Sequence, residues 1–168
     1  QIDLSRPLPA LHLTPSTTKL FTLFGVLPNL NPLPLLRRIC RSMQPGDLLL
    51  FSANLAPGKS GFAGARKVLS QYDNPPTRNW LEEAVRRTRS RLPQGRIHFG
   101  VFPDPRQKSL ARIEARWISR KKPVIVFSSR RPTVFQVEAW LRPVRLTRVA
   151  RFLDPRGEEG VWLVRSGK

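Results

Sequence analysis

The sequence predicts a mixed α/β chain in which a partly built, parallel, doubly wound sheet is followed by an antiparallel C-terminal portion. Three observations predict it. Two largely apolar runs, 19–26 (KLFTLFGV) and 48–54 (LLLFSAN), flank one amphipathic helical stretch. From Arg96 onward the apolar residues change from helical spacing to alternation. No strand pattern precedes residue 19, so a strand apolar on both faces would open the sheet with an uncovered edge.

The elements follow in order. Residues 1–18 are rich in Pro and Thr and read as a connector carrying one short motif, Asp3-Leu4. Run 19–26 is a buried strand. Asn31-Pro32 then reads as a helix start, a cap side chain followed by proline at the first helical position. Leu33, Leu36, Ile39, Cys40 and Met43 recur at helical spacing, with Arg37, Arg38 and Arg41 opposite them. Gly46 suits a left-handed residue past the helix end, and Asp47 opens the strand 48–54. Residues 19–54 are therefore one strand–helix–strand unit with parallel strands. After the turn-like 57–61 (PGKSG) come a helix near 62–71 and, beyond Tyr72-Asp73-Asn74, a helix over about 78–91 capped by Thr77. Trp80, Leu81, Ala84 and Val85 form its apolar side, and Arg86, Arg87, Arg89 and Arg91 its basic side. Residues 96–102 and 109–118 alternate around Pro103-Asp104-Pro105, a hairpin, and 123–128 is a further strand. Thr133 and Gln136 fit a capping box opening a short helix with Val137, Trp140 and Leu141 inside. Strands near 144–152 and 160–165, joined by Asp154-Pro155-Arg156-Gly157, close the chain. One domain is expected: connector 1–18, strand–helix–strand unit and helices 19–95, antiparallel strands and short helix 96–168.

Composition excludes several classes. The chain has 168 residues, 40% of them hydrophobic, enough for a packed core. The longest apolar run, 48–55, is strand-sized, so no membrane span is expected. One cysteine and two distant histidines (His12, His98) cannot make a zinc site, and a lone Cys40 fits a reducing, cytoplasmic setting. There is no G-x-x-x-x-G-K-[ST] loop, no G-x-S-x-G elbow and no H-E-x-x-H. Gly58-Lys59-Ser60 is a turn, because Ala53 stands where the phosphate loop needs its first glycine. The net charge is +19, from 30 Lys+Arg against 11 Asp+Glu. Such a field attracts phosphates and nucleic acid. Arginine-biased codon usage, or an acidic remainder of the same protein, are plainer readings and are preferred.

Polar strand ends are where a ligand is expected, since open α/β sheets bind at the carboxyl ends of parallel strands. The first strand runs into Gly25, which permits close backbone approach, and Asn29, which both donates and accepts. The second ends in Ser52-Ala53-Asn54.

The stretch LFTLFGVLPNLNPLPLLRRICRSMQPGDLLLFSANLAPG resembles the post-nucleotide part of the histidine-specific, ergothioneine-pathway methyltransferases. Asn29 matches their G-N-F-x-P asparagine, Pro45-Gly46-Asp47 their "PGD" turn, Tyr72-Asp73-Asn74 their Tyr-Asp-Asp, and Asp3-Leu4 their adenine-contacting Asp-Phe. The resemblance covers residues 1–80 well and the rest loosely, and rests on the order and spacing of these motifs together. It implies the C-terminal half of a Rossmann-like class I methyltransferase using S-adenosylmethionine and an amino-acid-like acceptor. It also implies that Asp3, Leu4 and Gly25 face the cofactor, and that Asn29, Tyr72 and Ser128 face the acceptor. The family's Gly-rich nucleotide loop lies upstream of Asp3, so a missing N-terminal part of the same protein is the expected partner. Three positions depart from the family: Pro28 replaces a glycine, Asn54 an aspartate, and Val126 the glutamate that stands two residues before the serine and reads an imidazole. Loss of that acid points to another acceptor or to an inactive homologue. The competing class is a basic nucleic-acid-binding module, with arginines near Trp80, Trp117 and Trp140. Against it, each Trp falls on an apolar stripe and reads as core.

Overall fold

The computed structural model of the chain describes residues 18–88 and 92–167. In chain order the elements are β1 (Leu20–Leu23), α1 (Pro32–Ser42), β2 (Leu48–Asn54), α2 (Gly61–Lys67), α3 (Pro75–Thr88), β3 (Gly95–Pro103), β4 (Ala111–Ser119), β5 (Val124–Arg131), α4 (Val134–Leu141), β6 (Leu146–Leu153) and β7 (Glu159–Ser166). Single 3-10 turns lie at Leu27–Asn29, Leu69–Gln71 and Arg142–Val144. The chain divides into two compact units: one runs up to Leu55 and resumes at Pro132, and the other is Ala56–Arg131. Asp3 and Leu4 lie outside the described residues.

The first unit holds a four-stranded sheet in the order β1-β2-β7-β6. β1 and β2 are parallel, as the strand–helix–strand pattern predicts, with Leu20 opposite Leu48. β7 runs antiparallel to both β2 and β6, so β1, β2 and β6 all point the same way. α1 buries Leu35, Leu36, Ile39 and Cys40. Leu35 thus does the work predicted for Leu33, and Cys40 is a core residue. β1 corrects an expectation: only Leu23 of its four residues is buried. Among the described residues it pairs with β2 alone, so it is an edge whose Leu20 is 55% exposed, with Phe24 just beyond it at 56%. A second correction concerns Asn31, which holds the cap position of α1 but makes no cap bond from its side chain. The third helical residue is Pro34, which has no N–H to donate.

Asp47 joins three segments of this unit. The turn Gln44-Pro45-Gly46-Asp47 is closed by the Asp47 N–H on the Gln44 carbonyl (3.1 Å), and Gly46 has φ +87°. Proline second and a left-handed glycine third are what a type II turn requires. The carboxylate then accepts from Lys19 N (2.9 Å) and Gln44 N (2.8 Å), while the Asp47 carbonyl accepts from Ser166 N (3.0 Å). Burial pushes this carboxyl's pKa up, but the two backbone N–H groups and the nearby Lys19 charge outweigh it, and the net shift is downward from 3.8. A carboxylate lowered on folding stabilises above its unfolded pKa and loses that contribution as pH falls through the folded value. Asp47→Asn is therefore expected to lower the melting temperature at pH 6–7. The gap to the parent should close as pH falls below about 3.8. Thermal unfolding across that range checks it, and a gap that stays constant down to pH 3 would contradict the assignment.

The second unit packs α2 and α3 against one face of the antiparallel sheet β3-β4-β5. Its core includes Val68, Leu81, Val85, Ile97, Phe99 and Ile113, with Trp117 held by an Nε1–H bond to the Pro93 carbonyl (3.0 Å). α3 begins three residues earlier than predicted. Asn74, not Thr77, caps it: its side chain accepts from Thr77 N (3.0 Å) and its carbonyl from Arg78 N (3.0 Å). Pro75 and Pro76 fill the first two helical positions, so Thr77 supplies the first free N–H. Trp80, expected in the core, is 65% exposed. The buried stripe runs through Leu81 and Val85, and Trp80 stands about 100° around the helix from Leu81.

Candidate functional site

In the first unit the two parallel strands finish side by side. Gly25 follows β1 with φ +69°, and its N–H donates to Ser52 Oγ on β2 (2.9 Å), where Ser52 is 6% exposed. Space beside Gly25 is open: a Cβ built there would meet no atom within 4 Å. The chain then turns through Leu27 and Pro28, both buried, and delivers Asn29 to the surface, its N–H bonded to the Val26 carbonyl (3.1 Å). β2 ends at Asn54, which is half-buried and faces Glu159 of β7 in register. Gly25, Asn29, Ser52 and Asn54 therefore share one end of the sheet, as predicted. That end offers backbone, carboxamide and hydroxyl groups and no titratable one among these four. Such a set orients a ligand and does not move a proton.

The second unit treats Tyr72 and Ser128 differently. The Tyr72 hydroxyl is bonded by Arg131 Nη2, the Arg131 guanidinium lies over the Tyr72 ring at 4.9 Å, and the ring packs on Phe127 at 5.5 Å. Its motif neighbours also have structural tasks: Asp73 pairs with Arg78 (2.5 Å), and Asn74 caps α3. Phe127, Ser129 and Arg131 share one face of β5, and Ser128 and Arg130 the other. Ser128 is exposed and stands opposite Glu114. Tyr72 and Ser128 thus use opposite faces of the strand, and the structure does not bring them together.

The sequence reading missed two ion clusters on the Ser128 face. Glu114 is fully buried between Arg112 and Arg116 (2.7 Å to Arg116 Nε), and the Arg116 guanidinium lies 3.4 Å over the Phe102 ring. Asp104 is 1% exposed and accepts from Arg130 Nε (2.6 Å) and from the N–H groups of Arg106 and Gln107. Burial opposes its charge, but these donors and the Arg130 charge prevail and lower its pKa. The signal was available: Arg112, Glu114 and Arg116 alternate, so a strand must place them on one face. Two clefts also lie in this unit, one of about 690 Å³ bordered by Gly95, Arg96, Ile118 and Arg120, the other of about 400 Å³ bordered by Glu82, Arg86 and Trp117. Neither includes a predicted site residue. No helix is long and apolar enough to cross a membrane, and no His/Cys/Asp/Glu group could hold a metal, among the described residues.

No protein family matches the chain, and no curated protein matches it in sequence. Solved structures do resemble it. A S-adenosylmethionine-dependent methyltransferase from Clostridium acetobutylicum ATCC 824 is 13% identical over 99% of this chain and 63% of its own, with a TM-score of 0.49. The CcbJ methyltransferase from Streptomyces caelestis is 14% identical over 89% of this chain and 61% of its own, with a TM-score of 0.44. The chain spans about three fifths of the length of each. The fold itself is mixed α/β with open sheets.

Proposed function

We propose that this chain is the C-terminal part of a S-adenosylmethionine-dependent methyltransferase acting on an amino-acid-like amine. The observation that carries this is the order β1-β2-β7-β6 with β7 alone reversed. Without β7, three co-directional strands remain, as in the second half of a doubly wound sheet. β7 then supplies the antiparallel C-terminal portion expected of a class I methyltransferase sheet. In that order β1 lies beside the switch point, so a ligand would sit at its carboxyl end, where Gly25 and Asn29 are. The edge of β1 that pairs with no strand among the described residues is the place for a strand of the N-terminal half.

The open space at Gly25 fits the cofactor. S-adenosylmethionine would supply an electrophilic methyl group on a sulfonium. The work of the chain is then positional: Gly25 lets a ligand reach the backbone, and Asn29 accepts an amine N–H so that the nitrogen lone pair is aimed.

Protein expressed from the complete reading frame is expected to retain S-adenosylmethionine in equilibrium dialysis, and Gly25→Val to lower that affinity at least tenfold. Asn29→Ala should leave cofactor affinity in place and cut kcat/KM for the methylated amine by about a hundredfold. Absence of retention at 1 mM cofactor overturns the proposal. Retention without transfer to any amine reduces it to an inactive homologue.

A further inference from the structure

The positive charge is not spread evenly. Residues 56–131 contain 18 of the 30 Lys+Arg but only 5 of the 11 Asp+Glu, an excess of 13 out of the chain's 19. Biased codon usage would not concentrate it so. One face of the sheet in this unit is covered by α2 and α3. The other carries Arg96, His98 and Phe102 on β3, Arg116 on β4, and Ser128 on β5. Its two carboxylates, Glu114 and Asp104, are buried under arginines, so neither presents negative charge to a ligand. Exposed cations stand at both ends: Arg106 and Lys108 after β3, and Arg120, Lys121 and Lys122 after β4. None of these five, nor Arg96, has an ion-pair partner among the described residues.

We propose that this outer face of β3-β4-β5 is a track for single-stranded nucleic acid. It stands apart from the methyltransferase reading and concerns a different surface. β4, nine residues long, spans about 30 Å, enough for several nucleotides. The cations at its two ends fit phosphates several nucleotides apart on one strand. Between them, the Arg116 guanidinium lying on Phe102 gives a flat cationic plane on which an unstacked base can rest. His98 and Ser128 are exposed beside it and offer hydrogen bonds to base edges. Charge complementarity and a stacking plane together favour a single strand. A duplex keeps its bases stacked inside the helix and would offer this flat face its phosphates only. The tryptophans that first suggested base stacking play no part here: Trp117 and Trp140 are core residues, and the exposed Trp80 belongs to α3, which packs on the opposite face of the sheet.

Fluorescence anisotropy of the full chain with a labelled 20-nucleotide single strand of mixed sequence tests this. At 50 mM salt the expected dissociation constant is micromolar. Contact with about four phosphates, at about 0.7 per phosphate in the slope of log K against log salt, should weaken binding about 50-fold by 200 mM. Arg96→Glu with Arg120→Glu should weaken it at least tenfold and flatten the slope by about 1.4. Arg37→Glu with Arg41→Glu on α1 makes the same change in net charge and should shift it less than threefold. Phe102→Ala should lower affinity about tenfold and leave the salt slope unchanged. Circular dichroism checks that each variant is folded. The proposal is overturned by no binding at 100 μM protein, by an equal loss in the α1 variant, or by equally tight binding of a duplex or of poly-glutamate.

Discussion

Replacing Glu114 by alanine is expected to destabilise the chain by about 3–5 kcal/mol, the range seen when one member of a buried ion group is removed. The carboxylate is fully buried, and Arg112 and Arg116 close on its two oxygens from either side along β4. Removing it leaves two guanidinium groups facing each other with 16% and 30% of their side chains exposed, so water replaces the lost charge only in part. Replacing all three residues by leucine should recover most of the loss, because the desolvation of the charges then disappears with their attraction. Urea denaturation of the three proteins gives both differences. A loss below about 1 kcal/mol for Glu114→Ala would mean that this carboxylate behaves as an exposed one.

Trp162→Ala is expected to cost a similar amount, about 3–5 kcal/mol, through a different cause. Trp162 sits on β7, between β2 and β6, with no exposed surface, and stacks on Phe51 of β2 with ring centres 5.5 Å apart. Its removal leaves a cavity in the middle of the first unit's sheet. Gly160 is part of the same arrangement: a Cβ there would lie 2.6 Å from the Trp162 ring, so the glycine gives the indole its room. Trp162→Phe should cost much less, about 1 kcal/mol. It gives up ring volume but also removes an indole N–H that is buried without an acceptor among the described residues. Thermal unfolding of both variants checks this, and equal losses would show that the lost ring volume does not set the cost.

Element order was legible because it depends on local chemistry. The capping box of Thr133 and Gln136 forms with both reciprocal bonds, and the Pro45-Gly46-Asp47 turn takes the backbone that its residues favour. Alternation from Arg96 onward gives the hairpin, with Gly95 opposite Ser119. What escaped depends on partners distant in sequence. β1 is apolar enough for an interior strand, yet which strands flank it is a fact about β2 and β7 as well. Thr77 is a good capping residue, but the prolines before it move the helix start to Asn74. Of the candidate site, the strand-end group of Gly25, Asn29, Ser52 and Asn54 was readable, because parallel strands bring their carboxyl ends together. The separation of Tyr72 from Ser128 was not, because it turns on which face of β5 meets the helices. The Glu114 cluster shows the reverse failure, in which a charge alternation present in the sequence was not read as one buried face.

The break in the first unit also sets a timetable for synthesis. Leu20–Asn54 can form its parallel pair as soon as it emerges, but the other edge of β2 pairs with β7, where Asn54 meets Glu159 more than a hundred residues later. Until then the strand LLLFSAN waits with a row of unpaired backbone groups in an apolar setting, the kind of segment that pairs with other copies of itself. Early folding of residues 56–131 would shorten the effective loop that has to close. The inserted unit would then act as an internal guardian of its host, and ribosome-bound chains stopped before Glu159 should be the ones that aggregate.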